Sequence, residues 1–232
     1  MNDKKKLISS RVIFQLLLFI FVLPFLPLLI SWHWSWWEAW VYGSLSILSF
    51  TGSRILAARR HPDLISERSR LTQHENAQVW DKKLLPLLGS GGILVMLIAG
   101  LDALLDWSHA FSMPVKILAL VIMLAGYALS SSALIENRFF SGTVRLQTDR
   151  GHKVISTGPY HWLRHPGYAG AMLVYLATPL FLDSTWAFLP AIFTMILYVI
   201  RTAREDRFLQ DELVGYRDYV QQVRYLLLPG VW

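Results

Sequence analysis

The sequence predicts an all-α, polytopic membrane protein with about six transmembrane helices, a cytoplasmic linker and a C-terminal cytoplasmic helix, all in one domain spanning residues 1–232. Three observations predict it. The chain is 54% apolar and 16% charged, whereas an ordinary soluble domain is about 45–50% apolar and about 25% charged. Apolar runs of membrane-spanning length recur along it. Lysine and arginine gather at alternate ends of those runs, which is the pattern that sets orientation in a bilayer. The net charge of +6 is therefore read as topology, and nucleic acid is not expected as a partner. Cysteine is absent, so disulfides, thiolate nucleophiles and cysteine-ligated metals are excluded.

The expected spans are Val12–Ser31, Trp36–Ala57, Leu84–Leu105, Val115–Ile135, Gly167–Leu182 and Thr185–Thr202. About 20 apolar residues suffice to cross a bilayer. The first run follows Lys4-Lys5-Lys6 but is too long for a secretory leader, and Trp32-His33-Trp34 stands where a small-residue cleavage site would be. It reads as a retained signal anchor. Gly89, Gly91, Gly92 and Gly100 in the third run, and Gly126 with Ser130 to Ser132 in the fourth, allow close helix approach. Asp183-Ser184 is a short turn, so the fifth and sixth spans form a tight hairpin. Residues 1–135 thus make a four-helix membrane part, and residues 136–232 a linker, hairpin and terminal helix.

Placing the N-terminus inside puts almost every basic residue on the cytoplasmic side and leaves Lys116 as the outer one. Both termini and every long polar segment are then cytoplasmic. Trp32, Trp34, Trp36, Trp37 and Trp107 mark the outer boundary. In the loop from Arg59 to Lys83, Leu64, Ile65, Leu71 and Val79 can share one face of an interfacial helix.

Chemistry concentrates late in the chain. The polar linker Glu136–Thr157 includes an alternating run, Val144 to Thr148, expected to be extended. It leads into Gly158-Pro159-Tyr160-His161-Trp162-Leu163-Arg164-His165-Pro166-Gly167-Tyr168-Ala169-Gly170, whose two X-Pro steps bias Gly158 and His165 away from helix. Beyond the last span, Arg201 to Gln222 reads as a cytoplasmic helix with Phe208, Leu209 and Leu213 on its apolar face. His152, Tyr160, Arg164, His165, Tyr168, Arg201, Glu205 and Asp206 therefore converge at one mouth of the bundle. Ionisable groups at membrane depth are costly and usually mark a site. Among the histidines only His161 and His165 are four apart, and Pro166 disfavours regular helix there, so no metal is expected. Neither Gly-x-Ser-x-Gly nor a glycine-rich nucleotide loop occurs.

Gly158-Pro159-Tyr160, Arg164-His165-Pro166-Gly167-Tyr168 with Gly170, and Arg201 four residues before Glu205-Asp206 resemble the isoprenylcysteine carboxyl methyltransferase family. That family of integral-membrane enzymes uses S-adenosylmethionine and also takes in the phospholipid methyltransferases. Glu67-Arg68 with Trp80-Asp81, and Gly215-Tyr216-Arg217-Asp218-Tyr219 through Pro229-Gly230-Val231-Trp232, look like a bacterial branch of it, which implies the inner membrane of a bacterium.

The resemblance implies an S-adenosylmethionine site made of His152, Lys153, Val154, Ile155, Tyr160, His165, Pro166, Gly167, Tyr168 and Glu205. It also implies catalytic roles for Arg201 and Arg164, with Arg201 binding a lipid-like or prenylated acceptor. Methyl transfer from a sulfonium mainly needs positioning and desolvation. Two other readings stay open. One is a membrane reductase using NADPH, since the sterol reductases look similar around His165-Pro166-Gly167-Tyr168-Ala169-Gly170. The other is a non-catalytic transport or assembly protein.

Overall fold

The computed structural model describes residues 17–18, 20–69 and 76–232. Among them the regular structure is helical, and the helices follow the apolar runs. The start of the first expected span, Val12 to Leu16, lies outside the described residues, as does Leu71 of the expected interfacial face. What is described of the first span is broken by its prolines into a 3-10 turn, Leu23–Phe25, and a short helix α1, Leu26–Ser31. Trp32 ends α1 in the left-handed region, at φ 59°.

The second, third and fourth runs form α2 (Trp37–Arg60), α4 (Val79–Leu105) and α5 (Met113–Glu136). Between α2 and α4 lies α3, Pro62–Ser69, where the interfacial helix is expected. Its Leu64 is fully buried against Ala57 and Leu134, whereas Val79 is exposed and belongs to α4. The expected shared face is therefore split. Two of these helices, α4 and α5, are long and apolar enough to cross a membrane. Apolar side chains on the outer faces of the bundle, such as Leu118 and Val121, remain exposed.

The hairpin is α6, Pro166–Phe181, and α7, Phe188–Glu212. Pro166 takes the first position of α6, where its missing N–H costs nothing. Asp183 turns the chain at φ 53°. The sixth span and the terminal helix are not separate elements. Arg201, Glu205 and Asp206 follow on from the apolar part of α7 without a break, so the site inherits the rigidity of one rod. Gly215, at φ 82°, then redirects the chain into α8, Tyr216–Gln222.

Helices α5 and α6 cross at their glycines. A methyl group on Gly170 would lie 2.5 Å from the Gly126 carbonyl oxygen, and one on Gly126 would lie 2.6 Å from that of Gly170. The Ser130 hydroxyl donates to the Gly167 carbonyl at 3.0 Å beside this crossing. The small residues noted in the sequence are thus contact surface. Leu28, Val95, Met123 and Phe181 fill the main core.

At the end of the bundle away from the linker, the Lys116 ammonium pairs with both Glu38 and Asp183. The start of α2, the start of α5 and the α6–α7 turn are held together there. Lys116, the one basic residue that the sequence places on the outer side, is thus buried in a network.

Candidate active site

Where α5 ends, the linker folds back over the ends of α6 and α7. No strand forms at Val144 to Thr148. The Val144 amide donates instead to Asp81 Oδ2 at 2.7 Å and its carbonyl accepts from the Gln78 amide at 2.9 Å, so a loop and a side chain take the bonds that a partner strand would. Gln147 closes the next turn. Its side-chain amide donates to the Phe139 carbonyl at 2.7 Å, and its backbone amide donates to His152 Nδ1 at 3.3 Å. Burial first, then the charges of Arg145 and Arg150, lower the His152 pKa to about 4. The imidazole is neutral at pH 7, with Nδ1 as the acceptor.

The central turn forms a 3-10 segment, Gly158–His161, with Gly158 at φ 59°. Tyr160 is buried beneath it. Its hydroxyl accepts from Asn137 Nδ2 at 3.2 Å, and its carbonyl accepts from the Tyr219 hydroxyl at 2.6 Å. Burial pushes both phenols above their ordinary range, so both are protonated donors. From the other side the C-terminal tail clips the turn. The Arg164 and His165 amides donate to the carbonyls of Tyr225 and Leu226 at 2.9 and 3.0 Å.

The neighbouring acids on α7 have different partners. Asp206 is buried and accepts from Arg164 Nη1 with both oxygens, at 2.9 and 2.7 Å. It also meets His165 Nε2 at 3.3 Å, the Tyr216 hydroxyl at 2.9 Å and Gln210 Nε2 at 2.7 Å. This carboxylate pins the turn and α8 to α7. Although burial opposes ionisation, the hydrogen bonds and charges of His165 and Arg164 hold its pKa below the usual carboxylate value. Among the described residues Glu205 has one hydrogen-bond partner, the Tyr168 hydroxyl, which donates to Oε2 at 2.6 Å.

Arg201 is also committed. Its Nε and Nη2 donate to Asp81 at 2.8 and 3.2 Å, and Nη2 reaches the Gly142 carbonyl at 2.9 Å. Its Nη1 has no protein partner among the described residues, and its guanidinium carbon lies 5.2 Å from the centre of the Tyr168 ring. Tyr168 in turn stacks parallel to His165, with ring centroids 5.7 Å apart.

These groups line one cavity with an empty volume of about 790 Å³. His152, Lys153, Val154, Ile155, Tyr160, Arg164, His165, Gly167, Tyr168, Arg201 and Glu205 all border it. Pro166 does not, and serves as the buried start of α6. The backbone amides of Lys153, Val154 and Ile155 make no hydrogen bond within the protein among the described residues. Three consecutive peptide donors along a cavity wall are available to a ligand.

Several residues had no role in the sequence reading. Asp81 anchors Arg201 from 120 positions away. Arg145 is held by Glu67 at 2.8 Å and by Asp149 at 2.9 Å. Tyr216 and Tyr219 bring α8 into the wall. Asp81, Glu67 and the tail's tyrosines were visible as parts of motifs, but nothing local revealed Asp81 as the partner of Arg201 or Glu67 as that of Arg145.

Residues 114–213 match the phospholipid methyltransferase family. Two rice proteins, from Oryza sativa subsp. indica and subsp. japonica, each named "Probable protein-S-isoprenylcysteine O-methyltransferase", are 29% identical over 114 residues. The match covers 47% of this chain and 59% of each relative, so the chain spans well under two thirds of their length. The family match, residues 114–213, takes in the Arg164-His165-Pro166-Gly167-Tyr168 turn and Glu205-Asp206, so it is the part of the chain around the cavity that is similar to the phospholipid methyltransferases.

Proposed function

We propose that the protein transfers a methyl group from S-adenosylmethionine to a lipophilic acceptor at the cytoplasmic face of a membrane crossed by six helices. The observation that carries this reading is the make-up of the cavity. Unbonded amides of residues 153–155 line the same cavity as the nearly free Glu205 carboxylate and the phenol rings of Tyr160, Tyr168, Tyr216 and Tyr219.

These groups fit a zwitterionic nucleoside sulfonium. The peptide N–H groups suit its carboxylate or purine acceptors, Glu205 suits its ammonium or ribose hydroxyls, and aromatic faces favour a cation. Lys153 to Ile155, Tyr160, His165, Gly167, Tyr168 and Glu205 would hold it, and the bound molecule would supply an electrophilic methyl group. Asp206 keeps Arg164 and His165 in position. Arg201 Nη1 offers one donor to the acceptor, while Asp81 keeps the guanidinium from swinging. A carboxylate acceptor stripped of water needs no general base. An amine acceptor would have to lose a proton.

Calorimetric titration of detergent-solubilised protein with S-adenosylmethionine tests the site. Binding is expected, and Glu205→Ala should weaken it by about tenfold or more, the weight of a lost charge-assisted hydrogen bond. No binding, or affinity untouched by that change, overturns the reading.

A further inference from the structure

The acids around the linker are matched with particular arginines. Asp63 pairs with Arg138 and Arg150, Glu67 with Arg145, Asp81 with Arg201, Glu136 with Arg60, and Asp206 with Arg164. Two half-buried arginines in the same region, Arg54 of α2 and Arg68 of α3, have no carboxylate within 4.0 Å among the described residues. Their hydrogen bonds go to neutral oxygens. Arg54 Nη1 donates to the Phe50 carbonyl at 3.1 Å and to Ser53 Oγ at 3.4 Å, and Arg68 Nη1 to the Phe140 carbonyl at 3.0 Å. Their planes rest on aromatic rings, Arg54 3.3 Å from the centre of Phe50 and Arg68 5.4 Å from that of Phe140.

Those placements join the bilayer side of the protein to the cavity. Arg54 directly precedes Ile55 and Leu56, both exposed apolar residues on α2. Ala57 of α2 packs with Leu64 of α3, and Arg54 lies one turn before Ala57 and Arg68 one turn after Leu64, so both side chains leave the same α2–α3 seam. Arg68 in turn feels Arg201 and Tyr168, which border the cavity. Phe140, which Arg68 touches, is itself cavity wall and packs against Gly167. Burial, then the charge of Arg201, lower the Arg68 pKa. Like charges placed together at a membrane boundary without a counter-ion are costly. An anion arriving from the lipid would remove that cost.

We propose that Arg54 and Arg68 form an anion-recognition site that holds the negatively charged head of the lipophilic acceptor as it passes from the bilayer to the cavity. The site rests on the methyl-transfer reading and extends it: these two arginines make the enzyme select acceptors with a carboxylate or phosphate head over neutral ones of the same tail. Arginine suits both heads because its planar fork bonds them with two hydrogen bonds at once. Arg201 orients the head at the reaction end, and the pair selects it at the entrance.

The test measures binding of S-farnesyl-cysteine and of its methyl ester to protein in phosphatidylcholine nanodiscs, in wild type, Arg54→Gln, Arg68→Gln, the double variant and Arg68→Lys. Wild type should prefer the carboxylate by about tenfold or more, and in the double variant that preference should fall by about tenfold, to the part Arg201 supplies, since each charged hydrogen bond is worth about that factor. Ester affinity should not change, and Arg68→Lys should keep most of the preference. Arg54→Gln leaves the Arg68–Phe140 contact in place, so a fall in preference there cannot be assigned to a disturbed linker. A parallel arm replaces part of the phosphatidylcholine with phosphatidylglycerol. If the variants change only retention of that lipid and leave the preference over the ester intact, the arginines bind bulk headgroups and the proposal is overturned. An unchanged preference in the double variant overturns it too. Failure of the wild type to bind S-adenosylmethionine would count against the reaction, while the carboxylate preference would still be readable.

Discussion

Asp81, at the start of α4, grips Arg201 on α7 through two hydrogen bonds and with its Oδ2 also accepts the amide of Val144. One buried carboxylate thus ties together two helices and the linker over the cavity. Asp81→Ala leaves the Arg201 charge uncompensated and releases residue 144. Asp81→Ala and Arg201→Met should each lower the unfolding temperature, and their combination by less than the sum. Melting in detergent should give a coupling of about 0.5–3 kcal/mol, as for residues in one polar network. Strict additivity would show that the pair is not formed.

Glu205 and Asp206 should separate cleanly on mutation. Asp206→Ala strips the counter-charge from buried Arg164 and should cost about 3–5 kcal/mol of stability, the usual penalty for half of a buried pair. Glu205→Ala removes one bond to Tyr168 and should leave the melting temperature nearly unchanged while weakening the proposed binding of S-adenosylmethionine. Thermal shift with and without S-adenosylmethionine reads both, and equal destabilisation by the two changes would contradict the division of roles.

The fold should loosen on mild acidification because of His152. Its folded pKa is lowered from 6.5 to about 4, so the folded state favours the neutral ring. Its contribution is complete above pH 6.5 and is lost as pH falls from there toward 4. The lowered carboxylates Asp63, Asp149 and Asp206 instead lose theirs below the ordinary carboxylate range, at more acid pH. Melting temperature against pH should therefore fall in two stages, and His152→Gln should remove the first.

Gly170→Ala should force α5 and α6 apart, since the added methyl would meet backbone at 2.5 Å and backbone cannot rotate away. Overpacking of this kind costs about 1–3 kcal/mol. Gly151→Ala lacks such neighbours but must hold φ 64°, so its smaller loss should arise from backbone strain alone. A larger loss at Gly151 than at Gly170 would mean that the helix crossing tolerates expansion.

The sequence exposed what is local. Apolar runs located α2, α4, α5 and α6 to within a few residues, because membrane-length hydrophobicity is a strong periodic signal. The two X-Pro steps located the turn at Gly158 and the start of α6. The residues placed in the site by family resemblance did fall around one cavity, except Pro166. Pairings distant along the chain stayed hidden: Arg201 with Asp81, Arg145 with Glu67, and the tail with the turn. A charged residue in a polar segment looks the same whether solvated or paired. Continuity of α7 through Arg201 was missed for a related reason, since charge marks the edge of a membrane but does not end a helix.

The clip between the turn and the tail sets an order of events during synthesis. Arg164 leaves the ribosome about 60 residues ahead of the Arg224 carbonyl that its Nη2 reaches at 3.2 Å. At roughly 5–20 residues per second, the interval is about 3–12 s. Throughout that wait the turn lacks the carbonyls that later fasten it, so this part of the chain must finish folding after its helices have formed.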